Sequence, residues 1–563
     1  MEKYKEINGK TYRKNKNNET VCIADFVIKN AVNKEIRNIQ GEVTSKSCEI
    51  TVFTGKKICI IEISMEDINS GKFLSKYEFL ITTPERGAKQ DIIYIIKSKA
   101  NENATVIRTE INRLGFDRLQ DGRVIYCAGD KVISENGFED ILISSELSNK
   151  YHFDILNENV RDEKNEADAA LVHANIDNPY SGIIFAANLA GIMRSILFEA
   201  GANPSFIVYL MGKSQSRKTA LARILCCIYN RDRSANESEV GISRVNGTVS
   251  KTEYNIDEYR DATYILDDLY KDSDKKKRSE NERSLRNAIR NAADFSPRQK
   301  NGKEARVNSQ LIVTAEYLLP DKTDVGRCLV VNVKHPIDSR SLTECQAEPL
   351  KLPTAFYYYI RWLCKKYDVV VAELKEKFKM HRSKINLSGE KYTRFSDTRF
   401  ILTYLYELFL KYAESKGVIE CTTKEKILGR FSANLERIIE YQYEIMSELE
   451  KKEIGSVNFS NELIRIVQNE GLGVRGSQIF KKGKCLYIRC EYFRRKLYEK
   501  YEKAFSSKAI TKYFDNRCIL KKSSDDKNTI KYGEKGERYL VLYINNIIED
   551  AESKAAEIKN LFF

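Results

Sequence analysis

Phe206-Ile-Val-Tyr-Leu-Met-Gly-Lys-Ser-Gln-Ser-Arg-Lys-Thr219 runs through apolar and aromatic residues and turns polar at Gly212. The apolar half has the length of a buried strand. A phosphate-binding loop needs a glycine-started turn whose N–H groups wrap the anion, a lysine for the terminal phosphates and a hydroxyl for Mg²⁺. Gly212, Lys218 and Thr219 fit those roles, with Ser214, Ser216 and Arg217 as the other nucleotide-contacting positions of the loop. Leu221, Ile224, Leu225 and Ile228 recur at helical spacing, so the positive end of a helix would face the phosphate. Arg217 departs from the pattern G-x-x-x-x-G-K-S/T, in which a glycine keeps a Cβ out of the tight turn. An ordinary strand–loop–helix connection uses the same residue types, so the flanking sequence has to decide.

Thr263-Tyr-Ile-Leu-Asp-Asp-Leu269 is an apolar strand ending in two carboxylates. An ATP site needs one acid to hold Mg²⁺ and its water, and a neighbour to polarise the attacking water. Asp267 fits the first role and Asp268 the second, while a turn or a helix cap uses the same acids. Ser309-Gln-Leu-Ile-Val-Thr-Ala-Glu316 is another apolar strand with a polar end, carrying Thr314. Gly326-Arg-Cys-Leu-Val-Val-Asn-Val333 is a third, with Arg327 at its entrance. Strands in this order, separated by helical segments, predict an α/β nucleotide-binding domain that uses ATP and Mg²⁺.

A chain of 563 residues is too long for one core. No apolar run approaches the roughly 20 residues that span a bilayer, and the N-terminus carries no signal-like apolar core, so a cytoplasmic protein without membrane contact is expected. Thirteen cysteines are scattered and four histidines are dispersed, a pattern of reduced thiols that a Mg²⁺ site does not need. The net charge is +14, and residues 475–538 hold 19 Lys/Arg against eight Asp/Glu. That concentration fits contact with a phosphate backbone, or a basic surface that is merely solvated. Arg494, Arg495, Lys508 and Lys512 are the candidate DNA contacts there.

Four domains are expected. Residues 1–155 read as β-rich, with strands at Glu49–Phe53, Ile58–Ile63, Tyr77–Ile81 and Asp91–Ile96 and tight turns at Asp121-Gly122 and Gly129-Asp130. A polar linker at 157–168 leads to the core at 165–336, in which one apolar helix runs from Pro179 to about Ala200. Residues 337–455 show helical periodicity. Residues 456–563 read as helices followed by strands at Asn528–Tyr532 and Arg538–Tyr543, the order of a winged helix on a basic background. Asn301-Gly302, flanked by Lys300 and Lys303, is a strong two-residue hairpin signal.

From about Leu114 onward the chain resembles the P-loop ATPases of phage and plasmid primase-helicases and the Cch-type helicases of cassette chromosomes. The marks are Gly115-Phe116 with Asp121-Gly122-Arg-Val-Ile-Tyr126, the helix before the P-loop, the loop itself, Asn246-Gly-Thr-Val-Ser-Lys-Thr-Glu253, Ile265-Leu-Asp-Asp268, Thr314-Ala-Glu316 and Arg327. That family is similar to the minichromosome-maintenance helicases. The resemblance implies an α/β P-loop NTPase core of AAA+-like type, with the β-rich domain before it and a helical domain and a winged helix after it. It also implies a homo-oligomeric, hexameric ring on single-stranded or duplex DNA. By the same resemblance Lys218 holds phosphate, Thr219 and Asp267 hold Mg²⁺ and Asp268 prepares water. Thr314 senses the γ-phosphate, Arg327 is an arginine finger for the neighbouring subunit, and Lys300 and Lys303 grip DNA in the channel. An ATP-driven DNA helicase or translocase serving a mobile element is the expected function. The alternatives are a DNA-binding initiator or regulator with ATP-controlled assembly, and an ATPase that remodels proteins.

Overall fold

Ile207, Val208, Tyr209 and Leu210 are each at most 1% exposed, so both faces of the strand that leads to Gly212 are covered. Such strands lie inside parallel sheets clad by helices. In the computed structural model that strand (Ile207–Met211) is next to the last in a five-stranded sheet. The order is Ile242–Arg244, Thr263–Leu269, Gln310–Ala315, Ile207–Met211, Cys328–Asn332, and every neighbouring pair is parallel. The carboxyl ends of all five therefore open on one edge, where open α/β sheets bind ligands. The strand of Thr314 lies between the Ile207–Met211 strand and the strand of Asp267 and Asp268.

The structure describes residues 3–15, 17–156, 171, 176, 178–230, 240–245, 256, 258–295, 298–300, 303–305, 308–388, 392–455, 457–501, 504–522, 529–532 and 537–551. The linker at 157–168, the Asn246–Glu253 motif and the Asn301-Gly302 tip lie outside them. The chain forms two compact units, one of Met1–Leu318 with Arg327–Ile439 and one of Leu319–Gly326 with Glu440–Phe563. Among the described residues no helix is long and apolar enough to cross a membrane.

In the first unit, the helix expected from Pro179 to Ala200 is two: Ser181–Ile192 and Arg194–Glu199. Met193 leaves helical geometry, and the buried Asp261 carboxylate then accepts the Ser195 N–H at 2.7 Å, capping the second helix. The other Asp261 oxygen takes the Phe116 N–H at 2.8 Å and the Ser195 hydroxyl at 2.6 Å. Gly115 has φ +88°, and a Cβ there would overlap that carboxylate. This is the physical content of Gly115-Phe116: a backbone N–H brought flush against a buried acid.

The N-terminal region holds a five-stranded sheet, ordered Leu142–Ile143, Val106–Ile111, Val27–Arg37, Val43–Phe53, Ile58–Ser64. A four-stranded meander spans Gly115–Arg118 to Gly137–Phe138. The Gly122 and Gly129 turns occur as the dipeptides predict, with φ +87° and +82°. Two strand expectations fail. Tyr77–Ile81 contains a turn, with the Leu80 N–H bonded to the Tyr77 carbonyl. Asp91–Ile96 lies within the helix Ala88–Asn101, because Ala88, Ile92, Ile95, Ile96 and Ala100 bury one helical face that a six-residue window does not reveal. Long helices follow the sheet, Lys351–Ser388, Thr393–Ser415 and the part of Cys421–Gly455 up to Ile439. Phe185, on the helix Ser181–Ile192, stacks on Phe356 and meets Phe409 edge-on.

The second unit is built on a four-stranded antiparallel sheet, ordered Ile479–Lys482, Cys485–Arg489, Glu537–Tyr543, Ile530–Tyr532. The first two strands were not expected: three lysines around Gly483 disguise the alternation of a hairpin. Helices Phe459–Glu470, Cys490–Tyr501 and Ser507–Asn516 share one core with the sheet, in which Phe459, Phe493, Phe514 and Leu542 are fully buried.

Candidate nucleotide site

Gly212 begins the loop where the sheet ends. Its N–H donates to the Ala315 carbonyl at 3.0 Å, tying the loop to the Thr314 strand. A Cβ at Gly212 would stand 2.7 Å from the Val333 carbonyl oxygen, so glycine is required by close approach. Gln215 and Arg217 both have φ +63°, the left-handed region. That conformation costs a non-glycine residue about 1–2 kcal/mol. Arg217 offsets it by donating from Nη1 to the Ile337 carbonyl at 2.5 Å, a charge-assisted bond of about 1.5 kcal/mol. The expected crowding by a Cβ is thus a backbone strain that the side chain compensates.

Helix Lys218–Cys226 starts immediately after. The Lys218 ammonium is buried and donates to the carbonyls of Gly212 (2.8 Å) and Lys213 (2.9 Å) and to the Ser216 hydroxyl (3.1 Å). Burial pushes its pKa below the ordinary lysine value, and the carboxylates of Glu316, Asp267 and Asp268 act in the opposite sense. All three of its partners are neutral oxygens, which an anionic phosphate can replace with stronger charge-assisted bonds.

Asp267 gathers the remaining chemistry. Its Oδ1 accepts from the Thr219 hydroxyl at 2.7 Å and the Thr314 hydroxyl at 2.6 Å. Thr314 Oγ1 in turn accepts the Asp268 N–H at 3.0 Å. The acid strand bulges between Leu266 and Leu269, and Asp268 takes φ +70° on that bulge. Its carboxylate is exposed and has no hydrogen bond among the described residues. Thr219, Asp267 and Thr314 are therefore one bonded array, with Asp268 at its rim and Ser214 exposed on the loop. Hydroxyl and carboxylate oxygens of this kind suit Mg²⁺, which takes one or two protein oxygens and completes its shell with phosphate and water.

Arg327 stands at the other end of the sheet. Its carbonyl accepts the Ile207 N–H, one strand length from Met211, about 13 Å along the Ile207–Met211 strand. Its guanidinium grips Asp294, Nε at 3.0 Å and Nη2 at 2.6 Å, and Arg394 reaches the same carboxylate at 3.3 Å. The Gly212–Thr219 loop begins at the opposite end of that strand, after Met211. Strands Arg298–Lys300 and Lys303–Ala305 pair antiparallel with Lys300 opposite Lys303, so the hairpin backbone expected around Asn301-Gly302 is present.

In the second unit the four basic candidates differ. Arg494 donates to the Phe505 carbonyl at 3.0 Å, and Arg495 lies 3.7 Å from Glu499 and over the Tyr492 ring. Lys508 and Lys512, one helical turn apart, are exposed, and their ammonium groups have no ion pair among the described residues.

Three features of the first unit escaped the sequence reading. The Arg217–Ile337 bond has no sequence signal across 120 residues. Asp261 gave no motif of its own. Glu316 was quoted only as the polar end of its strand and given no role, because it lies one residue past the strand's last residue, Ala315.

No protein-family model matches the chain, and no curated protein matches it. Among solved structures, the SCCmec type IV Cch active helicase is 14% identical, over 97% of this chain and 98% of that one, with a TM-score of 0.48. The apo NrS-1 C-terminal region is 11% identical over 91% and 96%, TM-score 0.24. The JCV helicase is 15% identical over 39% and 60%, TM-score 0.24. Likeness at this level decides nothing about activity, which has to be argued from the site's own residues.

Proposed function

We propose that this chain hydrolyses ATP at the Gly212–Thr219 loop and uses the energy to move along or separate DNA strands in the replication of a mobile element. The observation that carries the reading is the array Thr219–Asp267–Thr314 beside the neutrally held Lys218 ammonium, at the carboxyl edge of a parallel sheet. In this reading the loop N–H groups and the positive end of the Lys218 helix receive the phosphates. Lys218 exchanges its carbonyl partners for phosphate oxygens. Thr219 and Asp267 would hold Mg²⁺, which supplies charge neutralisation at the phosphates when bound. Thr314, already bonded to Asp267 and to the Asp268 N–H, ties the Thr314 strand to whatever occupies the site. Asp268 is the sequence's choice for preparing the water.

The DNA-facing parts are the hairpin lysines 300 and 303 and the basic C-terminal unit, which we read as a winged helix. Arg327 would serve a neighbouring subunit in a ring, exchanging Asp294 for that subunit's nucleotide. A strand-separation assay on a forked duplex, with particle size measured in a non-hydrolysable ATP analogue, tests the reading. ATP-dependent separation by a ring supports it, with activity partly restored when Arg327→Ala and Lys218→Ala chains are mixed. Binding of ATP and DNA without turnover would instead make the chain an assembly switch, and turnover indifferent to DNA would make it a protein remodeller.

A further inference from the structure

Glu316 follows Ala315, the residue whose carbonyl holds the first N–H of the P-loop, and its own N–H donates to the Leu269 carbonyl at 2.9 Å, just past the acid strand's two carboxylates. The next carbonyl, of Tyr317, accepts the Tyr209 hydroxyl at 2.7 Å. The backbone on both sides of Glu316 is thus pinned to the P-loop strand and to the acid strand. Glu316 is the first residue past that strand, which ends at Ala315, and it follows by two residues Thr314, whose hydroxyl already bonds Asp267. Its carboxylate is exposed and makes no hydrogen bond or ion pair among the described residues. Among the carboxylates that act on the Lys218 ammonium it has the largest influence, ahead of Asp267 and Asp268. A free acid on a rigid base beside the phosphate-binding lysine has the properties of a general base. Asp268 has a shorter side chain, and it rides on a bulge with φ +70° that turns it out of the regular pleat.

We propose that Glu316 is the group that takes the proton from the attacking water, a role that rests on the ATP-site reading above. The water oxygen bonds to the γ-phosphorus as the bond from that phosphorus to the β–γ bridging oxygen breaks. The electron pair leaves with ADP, and the water's proton passes to the Glu316 carboxylate and on to solvent. Asp268 then serves at the rim, and Thr314 sets the spacing between Asp267 and the two outer acids.

The test compares Glu316→Gln, Glu316→Asp and Asp268→Asn with the parent in Mg²⁺-dependent ATP binding, single-turnover hydrolysis and thermal melting. Glu316→Gln should hydrolyse ATP at least about 100-fold more slowly, with affinity within about threefold of the parent, and unhydrolysed ATP should co-elute with it on rapid gel filtration. Glu316→Asp should recover part of the rate, and Asp268→Asn should lose less than about tenfold. Because the side chain is exposed, melting should not move. Parental turnover by Glu316→Gln, or ATP trapped by Asp268→Asn instead, overturns the assignment. If the parent binds no ATP, or Lys218→Ala binds it equally well, the ATP-site reading fails and the assignment with it. A parent that binds and hydrolyses while Glu316→Gln is unaffected sinks the assignment alone.

Discussion

Lys218 in the Gly212–Thr219 loop and Lys508 with Lys512 on the helix Ser507–Asn516 all lack a salt-bridge partner among the described residues, yet they reach that state by opposite routes. Lys218 is buried and directs its three protons to neutral oxygens of its own loop. Lys508 and Lys512 are exposed, on a helix whose other face is packed into the core. Other cations of this unit are committed to acids. Lys500, Arg465 and Tyr501 converge on Glu462, Lys496 and Tyr492 on Glu470, and Arg517, Tyr513 and Ser460 on Asp550. The difference teaches that the excess of basic residues between 475 and 538 is a poor guide to charge available for DNA. A buried ammonium without an acid is organised for an incoming anion, whereas on the surface only the groups that no acid has claimed remain for a phosphate backbone.

The first way to break this comparison is to remove the buried cation. Lys218→Ala should lower ATP turnover by about 10²–10³-fold, the scale on which a preorganised charge stabilises a transition state, while DNA affinity stays parental. A steady-state ATPase assay beside a DNA-binding titration checks both halves. Replacing Lys300 and Lys303 together by alanine should come next in size: basal turnover survives, its stimulation by DNA weakens and strand separation is lost. A duplex unwound at the parental rate would remove the hairpin from the translocation scheme.

The exposed pair gives a smaller, graded effect. Lys508→Ala with Lys512→Ala should make the slope of log affinity against log salt shallower by about two, one for each phosphate that the variant no longer neutralises. Arg494→Ala with Arg495→Ala should change it by less than about one, because both guanidiniums already have partners. Equal slopes for the two pairs would mean that existing partners do not decide which cations meet DNA. Smallest of all, Arg217→Gly should alter stability by less than about 1 kcal/mol, since relief of left-handed strain and loss of the bond to Ile337 nearly cancel. Thermal melting reads that balance, and a large drop would show that the Ile337 anchor matters more than the strain.

Much of the strand, turn and helix between residues 206 and 226 was legible because its signals are local. An apolar run, a glycine, a lysine and a hydroxyl lie within 14 residues, and Asp267 and Thr314 each stand near the polar end of a continuous apolar run. What brings Asp267 between two hydroxyls is the strand order, with the Thr314 strand inserted between the other two, and no stretch of sequence states that. Asp91–Ile96 misled because five apolar positions of a 14-residue helix were read through a strand-length window. The Ile479–Arg489 hairpin was hidden because its outward positions and its turn carry lysines, which read as loop. In the C-terminal unit charge was visible but its pairing was not, since Glu462 meets Lys500 from 38 residues away and Asp550 meets Arg517 from 33.

The most direct test of the account is a titration of ATP turnover with single-stranded DNA, run on the parent and on the Lys508→Ala, Lys512→Ala double variant. In the parent the rate should rise with DNA to a plateau. The double variant should need more DNA for half-stimulation yet reach the same plateau, because the exposed lysines hold DNA and the P-loop performs the chemistry. A parental rate that does not respond to DNA, or a double variant that loses turnover without DNA, would contradict it.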